Sequence, residues 1–243
     1  MIGVLRNGTY RALFFAQVIA LVGTGLLTVA LGLLAFEIAG DAAGSVLGTA
    51  LTIKMVAYVG VAPLVAALVD RLPKKAVLVG ADIVRFAIAL VLPFVQDTWQ
   101  IYLLVFVLQS ASATFTPAFQ SLVPSVLPDP KQYTRALALS RLAYDLDSIL
   151  SPLIAAALLI VISYNNLFVG TAVGFAASAI LVLIARLPAH SPEPSTTTFW
   201  ERLPTGLRVF ARTPSLRFLM AANVVVAAGT AIVTLMLAAG VGD

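Results

Sequence analysis

The residues whose chemistry demands explanation are charges set within long apolar stretches. Lys54 stands in Thr52-Ile53-Lys54-Met55, far from either end of its stretch. It could attract an anionic substrate group, neutralise a carboxylate that takes up protons, or sit in a structural ion pair. Arg141, Asp145 and Asp147 form a second group. Arg141 and Asp145 are four apart, so on a helix they share a face and pair locally. Asp147 points about 200° round the helix from Asp145 and needs another partner. At a rise of 1.5 Å per residue, Asp147 lies about 18 Å and Lys54 about 24 Å from the basic end of their helices, so the two could meet in depth. Asp147 is the leading candidate for a proton carrier. Asp82 and Arg85, three apart and near the basic end of their stretch, make a third pair, read as local pairing that supports the connection before it, with direct contact to a substrate as the alternative. Gln17, Thr24, Gln109, Ser112 and Thr116 are polar residues that could line an aqueous cleft.

The elements that must hold these groups are membrane helices. The chain has 243 residues, 60% hydrophobic and 11% charged, with a mean hydropathy of +1.02. Soluble domains carry roughly 25% charged residues, so 15 basic and 11 acidic side chains cannot cover a water-facing surface. Disorder is excluded by the same richness in apolar side chains. A crossing needs about 20 apolar helical residues, and seven stretches qualify: 12–36, 44–69, 76–95, 99–119, 136–162, 167–185 and 218–241. Such continuous runs differ from the alternating ten-residue strands of an outer-membrane barrel. The first run is too long for a removable signal peptide, and is expected to remain as the first helix.

Lys and Arg concentrate in alternate connections. Arg6, Arg11, Arg71, Lys74, Lys75, Lys131, Arg135 and Arg186 flank one side, whereas 37–43, 96–98 and 163–166 contain no Lys or Arg. By the positive-inside rule the amino terminus is cytoplasmic. The net charge of +4 is thereby read as orientation rather than nucleic-acid binding. Cysteine is absent and the lone histidine, His190, stands in a Pro-rich stretch, so neither a metal centre nor a bound cofactor is expected. No nucleophile–base set, phosphate-binding Gly-Lys-Ser/Thr loop or dinucleotide fingerprint occurs, and the chain reads as a non-enzyme.

The expected domains are a six-helix bundle over 1–187, a cytoplasmic linker over 188–217 and a seventh helix over 218–243. The linker opens with Pro188, Pro192 and Pro194. Its second half places Phe199, Trp200, Leu203, Leu207 and Phe210 among arginines, as an amphipathic helix on the membrane face or a solvated basic loop.

Three stretches carry a resemblance. Asp70-Arg71-Leu72-Pro73-Lys74-Lys75 joins the second and third spans. Thr116 to Pro124 ends the fourth, and Ser148-Ile149-Leu150-Ser151-Pro152 lies in the fifth. The first resembles the loop signature of the major facilitator superfamily, with Ala66 and Pro73 where that signature has glycines. Together they resemble bacterial efflux-type members. The resemblance implies an all-α membrane protein: a six-helix amino-terminal bundle plus a seventh transmembrane helix, truncated relative to the twelve-helix family fold. It further implies Asp70, Arg71, Lys74 and Lys75 as a gate loop, and Gln17, Thr24, Gln109, Ser112 and Thr116 as lining residues. The implied activity is ion- or proton-coupled export of a small molecule, such as a drug, siderophore or metal ion, by alternating access across the plasma membrane. The implied partners are the lipid bilayer, the small-molecule substrate, an ion gradient, and a missing carboxy-terminal half or second copy. The competing expectation is a truncated membrane fragment that transports nothing and at most binds partners.

Overall fold

A computed structural model of the chain describes residues 2–69, 72–187, 213, 214 and 218. Its contacts group Met1–Pro192 into one unit and Glu193–Asp243 into another. The expected linker and seventh span therefore fall outside the described residues, apart from Thr213, Pro214 and Phe218, as do Asp70, Arg71 and His190.

Six long helices make up the first unit. They are α1 Gly8–Ala39, α2 Ala43–Val69, α3 Lys74–Val91, α4 Thr98–Val126, α5 Pro130–Leu159 and α6 Tyr164–Ile184, and no strand occurs among the described residues. A continuous helical stretch, Gly8–Val61, contains both α1 and most of α2 and is 54 residues long. At 1.5 Å per residue a straight rod of that length would reach about 80 Å, more than twice the apolar thickness of a bilayer. The chain instead turns at the 3-10 segment Gly40–Ala42, where Gly40 takes φ 51°, ψ −123°. That left-handed backbone carries no steric penalty at glycine. Thr28 and Leu31 of α1 then face Leu47 and Lys54 of α2 across one cavity, so the two helices form a hairpin.

The helices run beyond the apolar cores expected of them. α1 begins at Gly8 because Asn7 caps it, its Oδ1 accepting from the Thr9 and Tyr10 amides at 3.0 and 3.1 Å. α5 begins at Pro130, where proline's missing N–H costs nothing, with Asp129 accepting from the Lys131 amide. α4 continues past residue 119 to Val126, through Pro117 and Pro124. Neighbouring side chains bond to backbone carbonyls in this last stretch. Ser121 and Ser125 donate to the Ala118 and Leu122 carbonyls, and Lys74 Nζ donates to the Ser121 carbonyl at 3.1 Å.

Small residues let the backbones approach, the packing mode available where no water drives helices together. A Cβ on Gly23 of α1 would lie 3.4 Å from the Thr171 carbonyl of α6, and Thr171 Oγ1 donates to the Gly23 carbonyl at 3.0 Å. α1 and α5 meet more closely still, since a Cβ on Gly25 would lie 2.0 Å from Ser151 Cβ.

The basic ends of the helices are tied together by bonds to chain carbonyls. Asn7 Nδ2 donates to Val126, Thr9 to Arg186 and Tyr10 to Ala136. Lys75 Nζ donates to the Leu183 and Ala185 carbonyls at 2.6 and 3.0 Å. This cation sits at the negative end of α6, where helix carbonyls lack intrahelical partners. The positively charged flanks that the sequence places on one side thus share one end of the bundle. At the opposite end the Tyr164 hydroxyl donates to Glu37, joining α6 to α1.

Candidate functional site

A cavity of about 270 Å³ opens among α1, α2, α3, α4 and α5. Gln17 and Thr24 of α1 and Ser112 and Thr116 of α4 line it, four of the five polar residues singled out in the sequence. Their positions follow from helical spacing: 17 and 24 are two turns apart, and 112 and 116 one turn, so each pair occupies one face of its helix. Gln17 Oε1 accepts from Ser140 Oγ of α5 at 3.1 Å. The fifth, Gln109, lines a separate cavity of about 250 Å³.

Arg85 is the central cation of this wall. Its side chain is 4% exposed and that of its partner Asp82 0%. Nη2 donates to Asp82, whose other oxygen accepts from Ser178 Oγ of α6 at 2.7 Å. The guanidinium lies over Phe115 of α4 at 4.5 Å from the ring centroid and over Phe175 of α6 at 4.6 Å. Cation–π attraction to both rings holds it in place. Arg85 Nε and Ser112 Oγ are buried with no hydrogen-bond partner among the described residues. The expected ion pair within α3 forms, and its arginine also lines the cavity.

The other charges are dispersed. Arg141 pairs with Asp145 at 3.1 Å, as the four-residue spacing requires, and Arg141 reaches the same cavity as Arg85. Asp147 does find a different partner: it accepts from Ser151 Oγ one turn along α5. It faces an almost wholly apolar cavity between α1 and α5, with Phe14, Phe15 and Leu146. Lys54, half-buried, lines the cavity that holds Gln109 and Thr28. No ion pair joins Lys54 to Asp147; although their depths along the helices are compatible, α2 and α5 present them to different cavities. No group of three or more His, Cys, Asp or Glu gathers among the described residues in a way that would hold a metal ion.

Residues 13–241 match the profile of the Major Facilitator Superfamily. The chain belongs to that superfamily. It is a multi-pass membrane protein by this membership and by its long apolar helices. Macrolide efflux protein A of Streptococcus pyogenes is 27% identical over 184 residues, covering 74% of this chain and 45% of that protein. Macrolide efflux protein A of Enterococcus faecalis is 29% identical over 136 residues, covering 54% and 42%. The chain spans less than half the length of these curated relatives.

Within this major facilitator bundle, sequence reasoning missed Tyr58 and Tyr144, which line the Arg85 cavity. Tyr144 stands three residues after Arg141, so the turn spacing already used for the charges points to it, whereas Tyr58 stands four after Lys54, which lines another cavity, and has no such signal. It also missed Phe115, Phe175 and Ser178, the residues that fix Arg85. Nothing in their local sequence separates them from ordinary apolar helix positions.

Proposed function

We propose that this chain supplies the amino-terminal helices of a secondary active exporter that moves a small molecule by alternating access, driven by a proton or ion gradient. The observation that carries this reading is the cavity around Arg85, part-way across the bundle, with hydroxyl and amide side chains in its wall. Transporter sites sit near the bilayer midplane and open to each side in turn. The efflux named for the relatives supports the outward direction. Asp147 is assigned as the proton carrier, since a carboxyl group in an apolar cavity pairs with few competing charges. Lys54 is assigned to coupling or to substrate attraction, and Lys74 and Lys75, with Asp70 and Arg71, to the gate loop. The basic end of the bundle is assigned to the cytoplasm, which sets the amino terminus inside and the protein in the plasma membrane. The chain catalyses no covalent reaction on this reading.

The test is transport. Bacteria depleted of their own exporters and expressing this protein should retain less of a fluorescent amphipathic dye, and collapsing the proton gradient should restore retention. Asp147→Asn should remove the gradient dependence. Unchanged proton-driven export in that variant sinks the assignment of Asp147. Lys54→Ala should abolish uptake into proteoliposomes. Transport seen only when further helices are co-expressed would favour the fragment reading for the chain by itself.

A further inference from the structure

The Arg85 cavity has a one-sided charge distribution. Arg85 and Arg141 line it, and among the described residues no Asp or Glu does. The carboxylates that balance them stand elsewhere: Asp82 is fully buried against Ser178 in α6, and Asp145 lies beside Arg141 along α5.

The arginine is also restricted in how it can donate. Phe115 and Phe175 both lie against the guanidinium, whose N–H groups donate in its own plane. Nη2 is taken by Asp82, while Nε has no acceptor. Ser112, in the wall of the same cavity, likewise has a buried hydroxyl without a partner. Buried donors left without acceptors are destabilising, and an oxygen anion that becomes their acceptor recovers that cost. Arginine's planar fork suits carboxylate geometry in particular. Leu21, Ala20, Tyr58 and Tyr144 complete the wall and offer apolar and aromatic surface.

We propose that Arg85 and Ser112 form a head-group subsite for organic anions, and that the cavity takes amphipathic molecules bearing a carboxylate in preference to organic cations. The inference rests on the export reading for its purpose and deepens it by naming a substrate class. Asp82, Ser178 and Phe175 are positioning residues, which hold the guanidinium from outside the cavity, whereas Phe115 both holds it and lines the cavity.

Equilibrium dialysis tests this without any gradient. The protein is placed in nanodiscs of neutral phosphatidylcholine and presented with 1-naphthoate or 1-naphthylmethylammonium, with empty nanodiscs subtracted. Saturable naphthoate binding is expected, with the ammonium analogue about tenfold weaker or more. Ser112→Ala should weaken naphthoate binding by about ten- to a hundredfold, the usual size of a lost hydrogen bond to a charged group. Arg85→Lys, which keeps the charge and loses the fork, should weaken it by a similar factor of about ten. If Arg85→Lys does not insert, Ser112→Ala, which deletes a single oxygen, still carries the test. Absent naphthoate binding, equal or tighter binding of the ammonium compound, or unaltered affinity in Ser112→Ala overturns the proposal. Anion binding without gradient-driven export would refute the export reading alone, and export with a preference for the ammonium probe would refute the subsite alone.

Discussion

Helices α3 and α5 each carry an acidic residue and an arginine one turn apart, and each sends its arginine to the same cavity. Their surroundings have little else in common. Asp82 and Arg85 are buried, braced by Ser178 and two aromatic rings from α4 and α6. The side chains of Arg141 and Asp145 are 78% and 56% exposed. α5 as a whole is the least buried of the described spans, with Leu142, Leu146, Ile149, Leu150 and Leu153 uncovered. It is held to α1 at a few places: Ser151 against Gly25, Ser140 on Gln17, and the Tyr10 hydroxyl on Ala136. The same local motif is therefore a fixed structural element in one helix and an open, adjustable one in the other. Environment rather than spacing sets what an ion pair does.

Breaking the buried pair should produce the largest effect. Asp82→Ala leaves the Arg85 charge uncompensated in the interior, and a loss of about 3–5 kcal/mol is expected. Thermal or denaturant unfolding of the detergent-solubilised protein measures it, and the double variant Asp82→Leu, Arg85→Met should recover most of the loss. A single Asp82→Ala variant as stable as the parent would contradict the contrast between the helices. Next comes Ser178→Ala, which removes a bond to a charged oxygen and is expected to cost about 1.5–3 kcal/mol. The same melting experiment resolves it.

On the α5 side, Gly25→Ala inserts a methyl group into space that Ser151 occupies. Overpacking of this kind costs about 1–3 kcal/mol. Ser151→Gly in the same chain should relieve it, so a double-mutant cycle with no coupling between the two positions would show that α1 and α5 do not meet there. The smallest effect belongs to the exposed pair. Asp145→Ala should change stability by less than about 1 kcal/mol, since solvent screens both partners. A penalty comparable with that of Asp82→Ala would mean that another element covers Arg141 and Asp145.

Much of the bundle was legible along the chain. Six of the seven apolar runs coincide with described helices, because a bilayer demands about 20 apolar residues of any crossing segment. The common end of the basic flanks was legible too, and Lys75 on the last carbonyls of α6 shows a second use for such a cation. Helix ends were less so: α4 continues past the expected end at residue 119, through Pro124, to Val126. The lining role of Gln17, Thr24, Ser112 and Thr116 came with the family resemblance, and the cavity that gathers four of the five rests on helices distant in sequence.

Residue types and spacing alone determined that the chain lives in lipid, that it crosses as helices with one basic side, and that Arg141 with Asp145 and Arg85 with Asp82 pair within a helix. These follow from hydropathy and from the 3.6-residue turn, which need no knowledge of neighbours. Only the tertiary structure decided which pair is buried, that Phe115 and Phe175 enclose Arg85, and that Lys54 and Asp147 belong to different cavities. Burial and enclosure are properties of the space between helices, and helix packing, unlike helix periodicity, joins residues such as 85, 115 and 175 that no local pattern connects.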